Sequence, residues 1–150
     1  MYSKEELSTV IEEYVHALPF PEEPDSLYAP IAYSLERGGK RLRPLLAMMA
    51  CNIFSDDVER ALPCAAAVEV FHNFTLLHDD IMDNAAVRRG KPAVHRKWGA
   101  NSAILSGDAM MIYSYRLLER VDPVLLPELF PIFNDTSLKV CEGQQYDMDF

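Results

Sequence analysis

The sequence predicts an all-α domain in which neighbouring helices run antiparallel. Apolar residues recur at helical spacing along most of the chain, and no segment alternates for long between apolar and polar residues. No Asn-Gly or Asp-Gly pair marks a β-hairpin. Only 6 of the 150 residues are glycine, and most of the others are good helix formers. We therefore expect residues 1–150 to form a single all-helical domain.

Capping residues, prolines and glycines mark where the predicted helices begin and end. Ser3 followed by Glu6 is a capping-box pattern that begins the first helix, and the prolines within residues 19–24 form a stiff linker after it. Gly38-Gly39 signals the end of the second helix, and a proline can open the third. The first three predicted helices are Ser3–Leu18, Leu27–Arg37 and Pro44–Phe54.

Similar signals mark the beginnings and ends of the predicted helices in the second half of the chain. Asp56 or Asp57 can cap a long helix whose first turn tolerates Pro63. The stretch Asn84–Gly99 is polar, basic and punctuated by Gly and Pro, which predicts a loop. No stop signal follows the last helix, so we expect the chain to be the front part of a longer protein. The remaining predicted helices are Val58–Ile81, Asn101–Arg120 and Leu125–Phe150.

Composition and charge narrow the class of protein. Hydrophobic residues make up 49% and charged residues 25% of the chain, as in ordinary globular proteins. The longest apolar run, Leu45–Cys51, is far too short for a transmembrane segment, and the first residues lack the apolar core of a secretory signal. A net charge of −9 disfavours nucleic-acid binding. Three cysteines without CxxC spacing predict reduced, half-buried thiols in a cytoplasmic protein.

The basic residues are gathered at two places. Four of the 14 cations lie within Arg37–Arg43 and five more within Arg88–Lys97. Because like charges repel, such clusters on an acidic chain indicate local anion sites; the alternative is a pair of solvated loops. Arg88-Arg89 suits a diphosphate, because each guanidinium can donate two hydrogen bonds to phosphate oxygens. In the other cluster, the glycines before Lys40 make the backbone flexible next to a helix N-terminus, which itself favours anions.

Acidic residues between the two clusters predict a metal site. Asp79 and Asp83 fall one turn apart on the same helix stripe as His72. Two like charges at this spacing destabilise a helix by about 0.2–0.5 kcal/mol. Both also lie near the helix C-terminus, where the helix dipole disfavours anions. A lysine could compensate for them, but Mg²⁺ is the better candidate; the alternative is a solvated helix end. Zinc is disfavoured, because His72 and His78 face directions about 240° apart.

Three motifs together carry a resemblance to a known family. Residues 38–44 read GGKRLRP, residues 77–83 read LHDDIMD, and residues 88–92 read RRGKP. In this order and spacing they resemble the trans-isoprenyl diphosphate synthases, or polyprenyl synthetases, among them the geranylgeranyl and farnesyl diphosphate synthases. The match runs from near residue 28 to the end of the chain. It implies the N-terminal portion of an isoprenoid-synthase-type antiparallel helix bundle, without the family's second aspartate-rich motif or its Lys-Thr pair.

The resemblance also implies roles for individual residues, while Arg41 is expected to be structural. The residues expected to bind Mg²⁺ and the allylic diphosphate are Asp79, Asp80, Asp83 and Arg88. Those expected to hold isopentenyl diphosphate are Lys40, Arg43, His72 and Arg89. The neighbouring Arg88 is expected to bind the allylic diphosphate instead. Those expected to set product length are Phe71, Phe74 and Thr75. Those expected on the opposite cavity wall are Gln144 and Asp147.

The implied reaction is Mg²⁺-dependent, head-to-tail condensation of isopentenyl diphosphate with dimethylallyl, geranyl or farnesyl diphosphate. We expect a C15 or C20 product from a cytoplasmic homodimer, and no turnover by the 150 residues alone. Two alternatives remain open. His78-Asp79 also resembles the dyad of HD-type metal phosphohydrolases, although both basic motifs are then unexplained. The chain could also be a non-catalytic prenyltransferase subunit or fragment, although a scaffold needs no metal ligands.

Overall fold

Seven α-helices account for nearly all regular structure in residues 1–36 and 39–150, which the computed structural model describes. This confirms the all-α fold class. The predicted helix end at Arg37 and Gly38 lies outside the described residues. The helices are α1 (Lys4–His16), α2 (Asp25–Glu36), α3 (Leu42–Phe54), α4 (Leu62–Met82), α5 (Val94–Trp98), α6 (Ala100–Leu118) and α7 (Leu126–Asp149).

The first helix begins as its capping box predicts. The Ser3 hydroxyl accepts a hydrogen bond from the Glu6 backbone N–H, and the Glu6 carboxylate accepts one from the Ser3 N–H. These two bonds satisfy backbone donors that have no partner inside the helix. The proline-rich linker then separates α1 from α2, as expected.

Helices α3 and α4 begin at other residues than predicted. Helix α3 starts two residues before Pro44, after Arg41 in a left-handed conformation (φ 47°). Helix α4 starts at Leu62, because Val58–Ala61 forms a separate 3-10 turn. Neither predicted aspartate caps α4: the Asp57 side chain caps nothing, and Asp56 pairs with the N-terminal ammonium at 3.2 Å. Pro63 lies in the first turn, where its missing N–H is not needed.

The stretch predicted as a loop, Asn84–Gly99, contains a small hairpin and the short helix α5. Strands β1 (Val87–Arg88) and β2 (Lys91–Pro92) pair antiparallel, with Arg88 opposite Lys91. Arg89 and Gly90 between them both have positive φ, 52° and 78°, as a tight hairpin turn requires. The turn was not predicted, because its central pair is Arg-Gly and not the Asn-Gly or Asp-Gly pair typical of such turns. The hairpin is braced by His95, whose Nε2 lies 2.6 Å from the Ala85 carbonyl oxygen.

Helix α4 forms the centre of the core and packs most closely against α6. Its buried alanines allow close approach of the surrounding helices, and the larger side chains of Val70 and Phe71 fill the space between them. No helix in the described part of the chain is both long and apolar enough to cross a bilayer. The three cysteines are free thiols. Cys51 and Cys64 are half-buried as predicted, whereas Cys141 is exposed, so the prediction is wrong for Cys141.

The α4–α6 contact makes a test of packing possible at Gly107. A Cβ atom at this position would lie 2.4 Å from His78 Nε2. We therefore expect Gly107→Ala to lower the free energy of unfolding by about 1–3 kcal/mol, through overpacking. Gly143 is the matched control, because a Cβ there meets no atom within 4 Å; Gly143→Ala should stabilise α7 by about 0.5–1 kcal/mol. Thermal unfolding followed by circular dichroism measures both, and equal shifts would contradict the packing argument.

Candidate active site

A cavity of about 680 Å³ lies between α4 and α7. Helix α7 runs in the same direction as α4: Phe133 packs on Phe71, and Gln144 bonds Asp79 further along. The cavity lining from α4 extends from Cys64 to Met82, roughly 27 Å of helix. The end of the cavity near Asp79 and Gln144 is polar, whereas most of the side chains that line the part toward Cys64 are apolar.

Asp79 lies at the polar end of this cavity. Its Oδ1 accepts a hydrogen bond from Gln144 Nε2 at 2.9 Å, and its Oδ2 lies 3.6 Å from Arg88 Nη2. Asp83 follows one turn later at the exposed C-terminal end of α4, where its backbone N–H donates to the Asp79 carbonyl oxygen. The structure thus brings together Asp79, Gln144 and Arg88, with Asp83 next to them at the rim.

Asp80 faces a different direction from Asp79. It is buried, and both its oxygens accept hydrogen bonds from Arg88 Nε, at 3.1 and 3.2 Å. The hydrogen bond that Arg88 donates to Asp80 raises the pKa of Arg88 above its ordinary value, against the lowering effect of burial. Asp80 therefore orients Arg88 in this structure instead of lining the cavity, because successive helix positions are about 100° apart.

The carboxylates of Asp79 and Asp83 are a donor set that suits a magnesium ion. Within residues 1–36 and 39–150, no three His, Cys, Asp or Glu side chains are close enough to hold a metal by themselves. Mg²⁺ does not require such a cage, since it takes one or two carboxylates and completes its shell with waters and phosphate oxygens. Asp79 and Asp83 offer hard oxygen donors one helical turn apart.

The second predicted group of residues is partly assembled around His72. Arg43 Nη1 lies 3.3 Å from His72 Nε2, and both side chains line the cavity. Burial, followed by the Arg43 charge, lowers the pKa of His72, which favours the neutral ring as an acceptor for the guanidinium. Lys40 and Arg89 are exposed and do not line this cavity. Arg89 instead lies against Gly39, where a Cβ would be 3.2 Å from its Nε.

Sequence reasoning missed a buried polar network behind these cations. Arg41, expected to be structural, is buried, and its Nη1 donates to Glu69 Oε1 at 2.9 Å. Asn73 Nδ2 donates to the same oxygen at 3.0 Å. The available signal was a glutamate among alanines and valines on an apolar helix, since buried carboxylates need partners.

The residues predicted to set product length all line the cavity. The Phe71 and Phe74 rings meet edge to face with centroids 5.1 Å apart, and Phe133 of α7 packs on Phe71 at 5.6 Å. Thr75 is small, and its hydroxyl donates to the His72 carbonyl oxygen at 2.6 Å. The lining continues past these rings to Cys64, a thiol whose pKa burial raises. The aromatic cluster therefore lines the middle of the cavity without ending it.

Two expectations remain, one for the α7 side chains of Gln144 and Asp147 and one for His78. Gln144 lies in the wall opposite α4. Asp147 is exposed and outside the lining, because it lies at the edge of the α7 face near the helix end. His78 Nε2 lies 3.0 Å from the Ile104 carbonyl oxygen and against Gly107. His78 therefore connects α4 to α6, and this contact does not favour a metal-binding dyad with Asp79.

Comparison with known sequences agrees with this geometry. The sequence family described as polyprenyl synthetase matches residues 24–150. The geranylgeranyl diphosphate synthase of Methanosarcina mazei is 44% identical over 129 residues, which are 85% of this chain and 40% of that protein. The farnesyl diphosphate synthase of Geobacillus stearothermophilus is 40% identical over 126 residues, with 83% and 41% covered. The chain thus spans about 40% of the length of these relatives.

Solved structures show the same architecture. A crystal structure of a geranylgeranyl pyrophosphate synthase superposes with a TM-score of 0.96 at 50% identity, covering 100% of this chain and 46% of that one. The geranyltranstransferase of Thermotoga maritima superposes with a TM-score of 0.87 at 31% identity, covering 96% and 54%. The likeness includes α4, the hairpin and α7, the elements that carry the aspartates, the paired arginines and Gln144.

Proposed function

Because the chain belongs to the polyprenyl synthetase family, we propose that it forms the diphosphate-binding half of a Mg²⁺-dependent prenyltransferase. The proposed reaction joins isopentenyl diphosphate head-to-tail to an allylic diphosphate. The observation that carries the proposal is the meeting of Asp79, Arg88 and Gln144 at one end of a long apolar cavity. A diphosphate fits the polar end, and a growing hydrocarbon chain fits the rest.

The polar end has a role for each of its side chains. Mg²⁺ held by Asp79 and Asp83 would neutralise the leaving diphosphate. Arg88 donates to that diphosphate, since Asp80 uses only part of the five N–H donors on the guanidinium. Gln144 orients Asp79 from the opposite wall. We therefore assign Asp79 and Asp83 as ligands and Asp80 as the residue that fixes Arg88, although the family resemblance implied Asp80 as a third ligand.

The cations around His72 form the proposed isopentenyl diphosphate site. Arg43 and His72 are in contact, and the side chains of Lys40 and Arg89 are exposed, so a phosphate can reach them from the surface. We propose a C15 or C20 product, since the Phe74 and Phe71 rings stand in the lining between Asp79 and Cys64 while the small Thr75 leaves part of the cavity open beside them. A homodimer in the cytoplasm is proposed from the family resemblance and the free thiols.

The proposed function predicts that turnover needs more than these 150 residues. Large apolar side chains on α7 are exposed, Ile132 by 64% and Met148 by 52%, so the cavity is open on this side and a carbocation would meet water. We expect no elongation by the isolated chain. A chimera in which the remainder of the M. mazei synthase follows residue 150 should elongate allylic substrates. Incubation with radiolabelled isopentenyl diphosphate and an allylic diphosphate measures both.

The same incubation separates the alternatives. Release of inorganic phosphate or diphosphate without elongation by the chimera would favour a phosphohydrolase. Neither elongation nor release, from a folded chimera, would favour a non-catalytic subunit. Elongation by the isolated chain at the rate of the chimera would contradict the argument from the open cavity. The unmodified M. mazei synthase is the positive control.

A further inference from the structure

One guanidinium joins three helices of the domain. Arg41 Nε donates to Glu12 Oε1 of α1 at 2.9 Å, Nη1 donates to Glu69 Oε1 of α4 at 2.9 Å, and Nη2 donates to the Leu35 carbonyl oxygen of α2 at 2.5 Å. Its own backbone, in a left-handed conformation, leads directly into α3. The Arg41 side chain therefore ties the start of α3 to α1, α2 and α4.

Glu69 is the buried partner in this junction. Its side chain is 3% exposed, as is that of Arg41, whereas the Glu12 side chain is 43% exposed. Asn73, also buried, donates to both the Glu69 carboxylate and the Glu69 backbone carbonyl. A buried charge with two fixed donors has little freedom to move, so the Arg41–Glu69 pair is a rigid point in the fold.

The residues next to this rigid point are those of the proposed isopentenyl diphosphate site. Lys40 precedes Arg41, and Arg43 follows two residues later and contacts His72, one turn after Glu69 on α4. The Glu69 charge also acts on the neighbouring bases: it raises the pKa of Arg89 and of His72, in both cases against a larger lowering by burial. Glu69 is thus the anionic centre behind a cluster of cations that would otherwise repel one another.

We propose that Glu69 is a positioning residue for the isopentenyl diphosphate site, and that it acts through Arg41 to hold Lys40 and Arg43 in place. This proposal rests on the function proposed above. Glu69 does not touch the substrate; it lies on the buried side of the cation cluster, and the diphosphate approaches from the exposed side. A residue with a merely structural role would weaken both substrate sites together, whereas a positioning residue weakens only the site whose backbone it holds.

The test is calorimetric titration of the 150-residue chain with isopentenyl diphosphate and, separately, with an allylic diphosphate analogue plus Mg²⁺. Glu69→Gln keeps the shape of the side chain and removes its charge. We expect the Kd for isopentenyl diphosphate to rise roughly tenfold or more, since small misplacements of binding groups have large effects. The Kd for the allylic analogue should change less than about twofold, because the Asp79–Arg88 end lies outside the junction.

Two variants control for folding. Glu12→Gln makes the same chemical change on the exposed partner of Arg41 and should leave both Kd values nearly unchanged. If Glu69→Gln does not fold, the double variant Arg41→Met/Glu69→Leu removes both buried charges, which proteins tolerate better than one unpaired charge. This double variant should still bind isopentenyl diphosphate roughly tenfold more weakly than the original chain.

The outcomes are distinct. Unchanged isopentenyl diphosphate binding in Glu69→Gln or in the folded double variant would overturn the positioning role, and so would an equal loss for both ligands. Absence of isopentenyl diphosphate binding to the original chain would also overturn it. Failure of the proposed function is detected separately, as absence of elongation by the chimera, and a chimera can fail to elongate while the chain still shows the selective loss of binding.

Discussion

Replacing Asp79 by alanine is expected to weaken Mg²⁺-dependent binding of an allylic diphosphate by at least about 100-fold. Asp79 is the acidic side chain that contacts both Arg88 and Gln144 at the polar end of the cavity. Its removal takes away a hard oxygen donor at the place where the diphosphate would share the metal. Calorimetric titration of an allylic diphosphate analogue, with and without Mg²⁺, measures the loss as a smaller difference between the two titrations.

Neighbouring aspartates provide the matched comparisons. Asp83→Ala should cause a similar loss of metal dependence, because Asp83 follows Asp79 by one turn. Asp80→Asn should weaken binding of the allylic diphosphate analogue but leave the dependence of that binding on Mg²⁺ unchanged. Asp80 contacts Arg88 and does not line the cavity. Asp135→Asn, on an exposed position of α7 outside the cavity lining, should change neither. Metal dependence that survives in both Asp79→Ala and Asp83→Ala would remove the magnesium assignment.

The helices were predictable because their signals are local. The Ser3–Glu6 capping box and the apolar periodicity depend only on residues within a few turns, and the structure places α1 and α6 where they indicate. The start of α4 was misplaced, since a proline in the first turn is compatible with both a helix and a preceding 3-10 turn. The hairpin was missed because an Arg at positive φ carries no strong sequence preference.

The site was predictable in its residue types but not in its pairings. Helical spacing placed Asp79 and Asp83 on one stripe, and the same spacing says only that Asp80 faces elsewhere. That Asp80 meets Arg88, and that Glu69 meets Arg41 across 28 residues of chain, follows from tertiary packing. The burial of Glu69 had a weaker signal, a charge within an apolar helix, which indicates that a partner exists without identifying it.

Replacing Phe74 by alanine in the chimera is expected to lengthen the main product by one or more five-carbon units. Phe74 stands five residues before Asp79, about 7.5 Å along α4, and its ring lines the cavity against Phe71. Beyond these rings the lining continues to Val68 and Cys64. Removing the ring would widen the cavity at this depth and join it to the deeper space, so a product proposed to end at C15 or C20 would extend further.

Product length is measured by chromatography after dephosphorylation of the products. Phe74→Ala also removes buried packing worth about 3–5 kcal/mol, so Phe74→Leu serves as a milder variant that should shift the products in the same direction by less. Val68→Phe adds bulk deeper in the cavity and should have the opposite effect, shortening the longest products. If folded Phe74→Ala and Val68→Phe chimeras both make the original products, the end of the cavity is set by residues outside α4. Opposite shifts in the two variants would place the length-setting residues on this helix, between Asp79 and Cys64.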